Sequence, residues 1–194
     1  MHPTRILSTI FGFSKFRLGQ EEIINHLIAG GDTLAVMPTG AGKSLCYQIP
    51  ALAFNEQTIV ISPIVALMDD QVATLKDLDI PADRMHSSRD RTENIETWQS
   101  FSRGELKLLY LSPEALMRER FINALKKIKI AMFVVDEAHC ISKWGNNFRP
   151  DYARLANLSY LFPNSILAAF TATADKTTQL DISGKLLRRN PQTF

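Results

Sequence analysis

The segment PTGAGKS, from Pro38 to Ser44, lies between a β-branched run and a stretch with helical periodicity. Its glycines let the backbone turn tightly and bring N–H groups close to phosphate oxygens, and the following helix would direct the positive end of its dipole at the same point. Lys43 would neutralise the outer phosphates, and the Ser44 hydroxyl suits the Mg²⁺ ion that accompanies a nucleotide. The residues predicted to bind the nucleotide here are Thr39, Gly40, Ala41, Gly42, Lys43 and Ser44.

The segment departs from the strict Walker A pattern, which has glycine at the position of Met37. Gly40, Gly42, Lys43 and Ser44 match that pattern. The alternative interpretation is an ordinary glycine-rich turn whose lysine is solvated. The nucleotide interpretation therefore depends on a second motif elsewhere in the chain.

That second motif is an acidic pair at the end of the apolar run IAMFVV, about 90 residues after the glycine-rich loop. Asp136 can hold Mg²⁺ through water, and Glu137 can orient and deprotonate the water that attacks a phosphate. Lys43, Asp136 and Glu137 are therefore the predicted catalytic residues, with Ser44 and Asp136 as the metal ligands. The alternative is a strand that merely ends in solvated carboxylates.

Short apolar runs alternate with stretches of helical periodicity, which predicts an α/β fold: a parallel sheet with helices on both faces. The predicted strands are Thr33–Met37, Thr58–Ser62, Lys107–Leu111, Ile130–Val135 and Ser165–Phe170. The predicted helices are Gln20–Ala29, Lys43–Phe54, Ile64–Leu78, Thr92–Ser102, Pro113–Lys127, Asp151–Leu161 and Lys176–Leu187. Because ligands of such sheets bind beyond the carboxyl ends of the strands, the two motifs lie where chemistry is expected.

Composition limits the possibilities further. The chain has 194 residues, which suits one domain, and its 22 Lys and Arg against 20 Asp and Glu give no bulk signal of a nucleic-acid partner. Two cysteines are too few for a disulfide framework, so we expect a reducing, cytoplasmic setting. No apolar run approaches the roughly 20 residues that span a bilayer, so no membrane partner is expected.

The run DEAHC followed by ISKWGNNFRPDY resembles the RecQ family of superfamily-2 helicases, and the resemblance extends from Phe11 to about Leu187. It implies a RecA-like P-loop NTPase domain over residues 1–194 that uses ATP and Mg²⁺. A second RecA-like domain, in cis or in trans, would complete the motor. Zinc-binding and winged-helix regions of the family have no counterpart in the chain.

The resemblance also assigns an adenine-recognition motif to FGFSKFRLGQ, upstream of the loop. Gln20 would pair with the adenine edge, Arg17 would assist, and Phe13 would stack on the base. A glutamine amide can donate and accept at once, as adenine requires. The alternative places Phe11, Phe13 and Phe16 in the core, and we expect this for Phe16.

Residues on the nucleic-acid side follow from the same resemblance. Ser62 in SPIVALMDDQ and Ser112 in YLSPEAL would bind single-strand phosphates, although both could simply cap helices. Thr171 and Thr173 of TATA, with His139 of DEAH, would connect the nucleotide state to the DNA surface. For His139 the alternative is a surface or cap histidine.

An aromatic loop follows the acidic pair, with Gly145 and Pro150 interrupting regular structure. Trp144, Phe148 and Arg149 would contact single-stranded DNA by stacking and by charge, or the two aromatic side chains could instead anchor the loop in the domain. The family commonly has His-Asp where this chain has Asn146 and Asn147, which replaces a titratable pair by neutral amides.

The resemblance thus implies the ATP-binding half of a 3′-to-5′ DNA helicase that acts on single-stranded DNA and duplex junctions in repair and recombination. Alone it should turn over ATP slowly, because a second domain's arginine finger is worth on the order of 10³ in rate. One alternative is a stand-alone ATP or nucleic-acid binding module without motor activity. Another is a DEAD-box-type RNA helicase domain. The DEAH and TATA motifs and the aromatic loop disfavour this alternative.

Overall fold

A seven-stranded sheet, parallel at every pairing, runs through the residues that the computed structural model describes, 1–144 and 148–194. The strands lie in the order β3-β4-β2-β5-β6-β1-β7. Their bounds are β1 Thr33–Val36, β2 Gln57–Ile61, β3 Ala82–Met85, β4 Leu108–Leu111, β5 Ile130–Val135, β6 Ile166–Thr171 and β7 Gln192–Thr193.

Helices cover both faces of this sheet. Their bounds are α1 Pro3–Thr9, α2 Gln20–Ile28, α3 Lys43–Ala53, α4 Val65–Asp77, α5 Arg91–Ser102, α6 Pro113–Leu116, α7 Glu119–Leu125, α8 Pro150–Ala153, α9 Leu158–Leu161 and α10 Lys176–Leu186. Helices α1 to α4 pack on one face and α5 to α10 on the other, each over its own apolar cluster. The predicted fold class is confirmed.

Burial on both faces explains why the central strands consist of apolar residues without alternation. In β5 five of the six side chains are buried, and in β6 all six are. Polar side chains can therefore reach solvent only beyond the strand ends. The carboxyl ends of β1, β6, β5, β2 and β4 follow one another along one edge, and the predicted site residues occupy that edge.

The five predicted strands and five of the seven predicted helices are confirmed to within one residue at each end. The predicted helix Pro113–Lys127 is wrong in one respect, since it divides into α6 and α7. The carbonyl of Met117, at the break, accepts a hydrogen bond from the Arg154 guanidinium (2.9 Å) instead of a helical N–H.

The predicted helix Asp151–Leu161 is also wrong as a single element. It consists of α8, a 3₁₀ turn at Arg154–Asn157, and α9. Tyr152, Leu155 and Leu158 are its fully buried residues, and their spacing of three matches the three-residue turns of a 3₁₀ helix.

Four of the described elements were not predicted. Helix α1 is short, β7 has two exposed residues, and a 3₁₀ turn follows the acidic pair at Ala138–Ile141. Strand β3 has the sequence ADRM, in which charged residues replace the apolar signature of a strand. Within the described ranges, no helix combines the length and apolar character that crossing a bilayer requires.

Asp32 fastens the end of the chain to the sheet. Its buried carboxylate accepts hydrogen bonds from the backbone N–H groups of Leu167 (2.9 Å), Arg188 (2.7 Å) and Arg189 (2.8 Å). The segment after α10 is thereby held beside β1, where β7 pairs with that strand. One side chain thus satisfies three backbone donors that have no strand partner at these positions.

Substitution of Asp32 by alanine should lower the free energy of unfolding by about 1–3 kcal/mol, because the buried N–H of Leu167 would be left unpaired. Urea unfolding followed by circular dichroism measures the change. Asp77→Ala, which removes an exposed aspartate of α4, is the matched control. A loss for Asp32→Ala no larger than that of Asp77→Ala would contradict this role.

Strand β3 is stabilised by a polar network around Asp83. Its carboxylate accepts hydrogen bonds from the Thr97 hydroxyl (2.6 Å) and from the guanidinium of Arg89 (3.2 Å). Burial alone would raise the pKa of Asp83, but the bonds from Thr97 and the Arg84 backbone, with the charges of Arg89 and Lys76, outweigh it and leave the pKa lowered.

Because the folded-state pKa of Asp83 lies below its unfolded value, its stabilisation is present above roughly pH 4 and is lost as the pH falls through the folded-state pKa. We expect the difference in unfolding free energy between the native chain and Asp83→Asn to shrink as the pH falls from about 7 to about 3. Urea titrations at several pH values test this. A difference that does not vary with pH would exclude a charged Asp83 as the source.

Candidate functional site

The glycine-rich segment connects β1 to α3 as a tight loop. Gly40 (φ 81°) and Gly42 (φ 81°, ψ 39°) both have left-handed backbone conformations that favour glycine. Gly42 is the N-cap of α3, and Lys43 and Ser44 open that eleven-residue helix. Strand, loop and helix therefore follow in the predicted order, with the free N–H groups of the helix start facing a cleft.

The acidic pair directly follows β5, two strands away from the loop in the sheet. The Asp136 N–H donates to the carbonyl of Ile61 (2.9 Å), which extends the pairing of β5 with β2 by one bond. Burial raises the pKa of Asp136, the charge of Lys43 lowers it, and the neighbouring Glu137 raises it further, with a raised pKa as the result. A cation beside this carboxylate would counter that shift.

Glu137 has φ 51° and ψ 44°, a left-handed conformation that costs a non-glycine residue roughly 1–2 kcal/mol. Several contacts around it oppose this cost. Its N–H donates to Asp136 Oδ1 (2.9 Å), and its carbonyl accepts from the Cys140 N–H (3.0 Å). Since each such bond contributes about 0.5–1.5 kcal/mol net, together they can hold the turn.

The left-handed conformation of Glu137 brings its carboxylate near the glycine-rich loop and near the 3₁₀ turn at Ala138–Ile141 that directly follows it. Glu137 Oε1 lies 3.9 Å from Lys43 Nζ, and Oε2 lies 3.3 Å from His139 Nδ1. The side chains of Lys43 and Glu137 are 17% and 24% exposed, so they are screened less than a surface pair. The three predicted catalytic residues, Lys43, Asp136 and Glu137, are thus neighbours in space.

Two of the three residues predicted to recognise adenine are bonded to the loop itself. The amide of the buried Gln20 donates to the carbonyls of Ala41 and Gly42 (3.2 Å each), and its oxygen accepts from the Arg17 N–H (2.9 Å). Arg17 Nη1 donates to the Gly40 carbonyl (2.6 Å). These contacts assign both side chains a loop-holding role that the sequence did not suggest.

Gly42 also fits closely against Gln20. A Cβ at Gly42 would come 2.5 Å from the Gln20 amide nitrogen, so the Gln20 side chain would have to shift, in addition to the strain that φ 81° imposes on other residues. Phe13, the third predicted adenine residue, is half exposed, whereas Phe16 packs against the core as expected.

The glycine-rich loop, the acidic pair and the predicted adenine residues line a single cleft of about 700 Å³. The predicted residues in its lining are Phe13, Arg17, Gln20, Thr39, Gly40, Gly42, Lys43, Ser44, Asp136 and Glu137. Sequence reasoning missed further lining residues on α3 and α4, among them Tyr47, Gln48 and Gln71. Tyr47 and Gln48 occupy helix positions that are typical of ordinary packing, and in the segment SPIVALMDDQ only Ser62 was given a role, although Gln71 ends it.

The TATA segment lies at the end of β6, between the loop and the acidic pair. His139 Nδ1 lies 3.0 Å from the Thr171 hydroxyl, which in turn donates to the carbonyl of Thr173 (3.1 Å). Glu137, His139, Thr171 and Thr173 therefore form one chain of polar contacts. His139 contacts two other site residues, so the surface-histidine alternative does not describe it.

The two predicted phosphate-binding serines are placed differently. Ser112 is half-buried at the start of α6. Its hydroxyl accepts a hydrogen bond from the Ala115 N–H (3.3 Å), as the helix-cap alternative requires. Ser62 is 2% exposed and does not cap α4, whose N-cap is Ile64. Its hydroxyl has no hydrogen-bond partner among the described residues. A role of either serine in binding phosphate stays a prediction.

Trp144 of the aromatic loop is 72% exposed, so the loop-anchor alternative is wrong for this side chain. Phe148 is half-buried with Lys143 Nζ 6.0 Å from its ring centre, and Arg149 is exposed. Asn146 and Asn147 lie outside the described residues. The described aromatic and basic side chains present a surface beside the acidic pair.

Tyr152 is a site residue that the sequence did not reveal. Its hydroxyl donates to the backbone carbonyl of Asp136 (3.0 Å) from the first turn after the aromatic loop. It is fully buried and lies on the predicted helix Asp151–Leu161, but a backbone partner sixteen residues away leaves no trace in a sequence pattern.

Comparisons with known proteins agree with this arrangement. The family described as DEAD/DEAH box helicase matches residues 17–181. The chain is 46% identical to the ATP-dependent DNA helicase RecQ of Pasteurella multocida over 97% of its length, and 47% identical to that of Haemophilus influenzae over 95%. It spans 30% of the length of each of these relatives.

The sheet and helices also superpose on the crystal structure of the helicase MrfA bound to DNA and AMPPNP. The TM-score is 0.73 at 15% sequence identity, covering 100% of this chain and 29% of that one. At this identity the likeness shows a common fold.

Replacement of Gln20 by alanine should weaken ADP and GDP binding alike, by about tenfold, because the loop loses two hydrogen bonds that are independent of the base. Fluorescence titration with labelled ADP and GDP measures this, with the exposed Gln99→Ala as control. Unchanged affinity for both nucleotides would exclude the loop-holding role. Weakened binding of ADP alone would assign Gln20 to adenine instead.

Proposed function

Because this chain belongs to the DEAD/DEAH box helicase family and, within it, to the RecQ helicases, we propose that it is the ATP-binding motor domain of a DNA helicase. Its parallel sheet has the RecA-like arrangement of such domains. The chain covers 30% of its relatives, so the activity of a whole helicase is part of the proposal.

The observation that carries the proposal is the convergence of the glycine-rich loop and the acidic pair on one cleft. Lys43 and Glu137 approach to 3.9 Å across it, and Ser44 and Asp136 line the same cleft. A cation, a hydroxyl and two carboxylates within this space match what phosphoryl transfer to water requires.

Mg²⁺ fits the donor set. Ser44 supplies a hydroxyl oxygen and Asp136 a carboxylate, the hard oxygen ligands that this ion prefers alongside phosphates and water. Asp136, whose pKa is raised by burial, gains most from a neighbouring cation. When bound, the ion would neutralise charge on the phosphate oxygens.

The residues of this chain would divide the remaining work. The α3 N-terminus and Lys43 would bind the outer phosphates of ATP, since both offer positive charge at the loop. Glu137 would orient the attacking water and take its proton. His139, 3.3 Å from the Glu137 carboxylate, would hold that side chain in place.

A second RecA-like domain, in cis or in trans, would complete the catalytic cleft with an arginine finger. Single-stranded DNA, or the single-stranded side of a duplex junction, would run past Trp144, Phe148 and Arg149, because aromatic faces stack on bases and arginine pairs with phosphate. Translocation would be 3′-to-5′, as the family relationship suggests. The two cysteines, too few for a disulfide framework, favour a reducing, cytoplasmic setting.

We expect the purified chain to hydrolyse ATP slowly. Glu137→Gln should lower that turnover by about 10²-fold or more, because it removes the proposed base. Adding a second motor domain should raise turnover by on the order of 10³. A coupled assay of ADP release measures both effects, and the exposed Glu96→Gln of α5 is the matched control.

Brisk turnover by the chain alone, stimulated by single-stranded DNA, would contradict the half-motor proposal and show a self-sufficient ATPase. Binding of nucleotide and DNA without turnover under any of these conditions would indicate a stand-alone binding module. Tighter binding of oligo-U than of oligo-dT would indicate that the chain is the motor domain of an RNA helicase instead.

A further inference from the structure

A second groove, of about 550 Å³, lies at the edge of the sheet opposite the candidate site. Its lining includes Ile130 and Ile166, the first residues of β5 and β6, and Glu56, which directly precedes β2. Parallel strands have their amino ends at one edge and their carboxyl ends at the other, so the length of the strands separates this groove from the cleft. The volume of the groove is within the range of about 300–1,000 Å³ that is typical of ligand sites.

Apolar side chains make up more than half of the lining. Phe162, Ile130 and Ile166 keep 8%, 6% and 7% of their surface exposed, whereas Phe133, further along β5, is fully buried. Three half-buried side chains extend the apolar lining: Phe54, Ile128 and Leu161. The hydrophobic core is therefore accessible along the groove, and an apolar side chain of another molecule would be removed from water there.

Basic side chains border the groove. Lys126 and Lys129 precede β5, and Arg189, which follows α10, donates a hydrogen bond from Nη1 to the Asn164 carbonyl (2.8 Å). All three are exposed, and in the described part of the chain none of them pairs with an acidic side chain. With these three cations and Glu56, the lining has a formal net charge of +2, which equals that of the whole chain. The rest of the chain is therefore neutral overall, and the groove would attract an anionic partner.

Hydrogen bonds hold the walls of the groove in place. Lys107 Nζ donates to the three consecutive carbonyls of residues 54–56, in the wall before β2. Ser165 Oγ donates to the Ile130 carbonyl (2.7 Å), which joins the starts of β5 and β6. A groove that is already formed loses less conformational entropy when a ligand binds.

The combination of an apolar lining and a basic border distinguishes between two classes of anionic partner. The phosphates of a nucleic acid could pair with Lys126, Lys129 and Arg189, but they would leave the apolar lining in contact with water. A peptide that has aliphatic or aromatic side chains among carboxylates would match both features, as the apolar centre and polar rim of protein interfaces do.

We propose that this groove binds an acidic segment of a partner protein. Aliphatic or aromatic side chains of that segment occupy the apolar lining, and its carboxylates pair with Lys126, Lys129 and Arg189. Because the groove lies at the amino edge of the sheet, a partner bound there leaves the cleft proposed for the nucleotide and the surface proposed for DNA accessible. The inference does not depend on the proposed function, since neither nucleotide nor DNA takes part in the contact.

Selection of peptides from a random library displayed on phage, with the purified chain as the target, tests this proposal. We expect enrichment of sequences that combine Asp and Glu with Phe, Leu or Ile. A labelled copy of the most enriched peptide is then titrated with the chain, and fluorescence anisotropy gives its affinity. The double variant Lys126→Glu, Lys129→Glu should bind this peptide about tenfold or more weakly, because two attractive charge pairs become repulsive.

The matched control is the double variant Arg91→Glu, Lys176→Glu, which changes the net charge by the same amount outside the groove. Both residues are exposed and begin helices, α5 and α10, where an acidic side chain is favourable. This variant should bind the peptide as tightly as the native chain does. Replacing the apolar residues of the peptide by serine should weaken binding about tenfold, and this change leaves the chain itself unaltered.

Two results would overturn the proposal. One is a library that yields no peptides combining acidic and apolar residues, and the other is a selected peptide that binds Lys126→Glu, Lys129→Glu as tightly as the native chain. A serine-substituted peptide that keeps its affinity and is displaced by duplex DNA would show that the groove binds a phosphate backbone instead, which also overturns the proposal.

Discussion

The candidate site depends on a backbone turn that places a glutamate, Glu137, in a conformation usually adopted by glycine. Glycine could make the turn at position 137 without strain but would provide no carboxylate. The surrounding contacts resolve this conflict: β2 fixes the strand end, Asp136 Oδ1 binds the Glu137 N–H, and Tyr152 binds the intervening carbonyl. Strain held in this way is typical of functional sites, where packing determines the geometry.

Strand order gives that turn its neighbours. Since β6 lies between β1 and β5, the TATA segment is inserted between the glycine-rich loop and the acidic pair, and His139 Nδ1 lies 3.0 Å from the Thr171 hydroxyl of that segment. On the other side β2 and β4 bring Ser62 and Ser112 to the same edge. Residues that lie more than a hundred positions apart in the sequence thus form a single row along this edge. The row runs from the cleft proposed for the nucleotide to the surface proposed for DNA.

The sequence predicted what depends on local chemistry. Continuous apolar runs identified the central strands, and the loop glycines and acidic pair identified the cleft, because parallel strands bring their carboxyl ends together. The sequence did not predict strand β3, because Asp83 and Arg84 replace the apolar residues expected of a strand. These two side chains pair with each other, and Asp83 also binds Thr97 and Arg89 on other segments. The sequence also could not reveal that Gln20 binds loop carbonyls or that Tyr152 binds Asp136, since both partners are backbone atoms set by tertiary packing.

The charged character of β3 has a consequence for how copies of the molecule meet. An outermost strand presents unpaired N–H and C=O groups, against which a strand of another chain can add. At β3, docking of a strand would bury Arg84 and disturb its pairing with Asp69 and Asp83. The polar edge strand therefore disfavours the addition of a strand from another copy at this edge of the sheet.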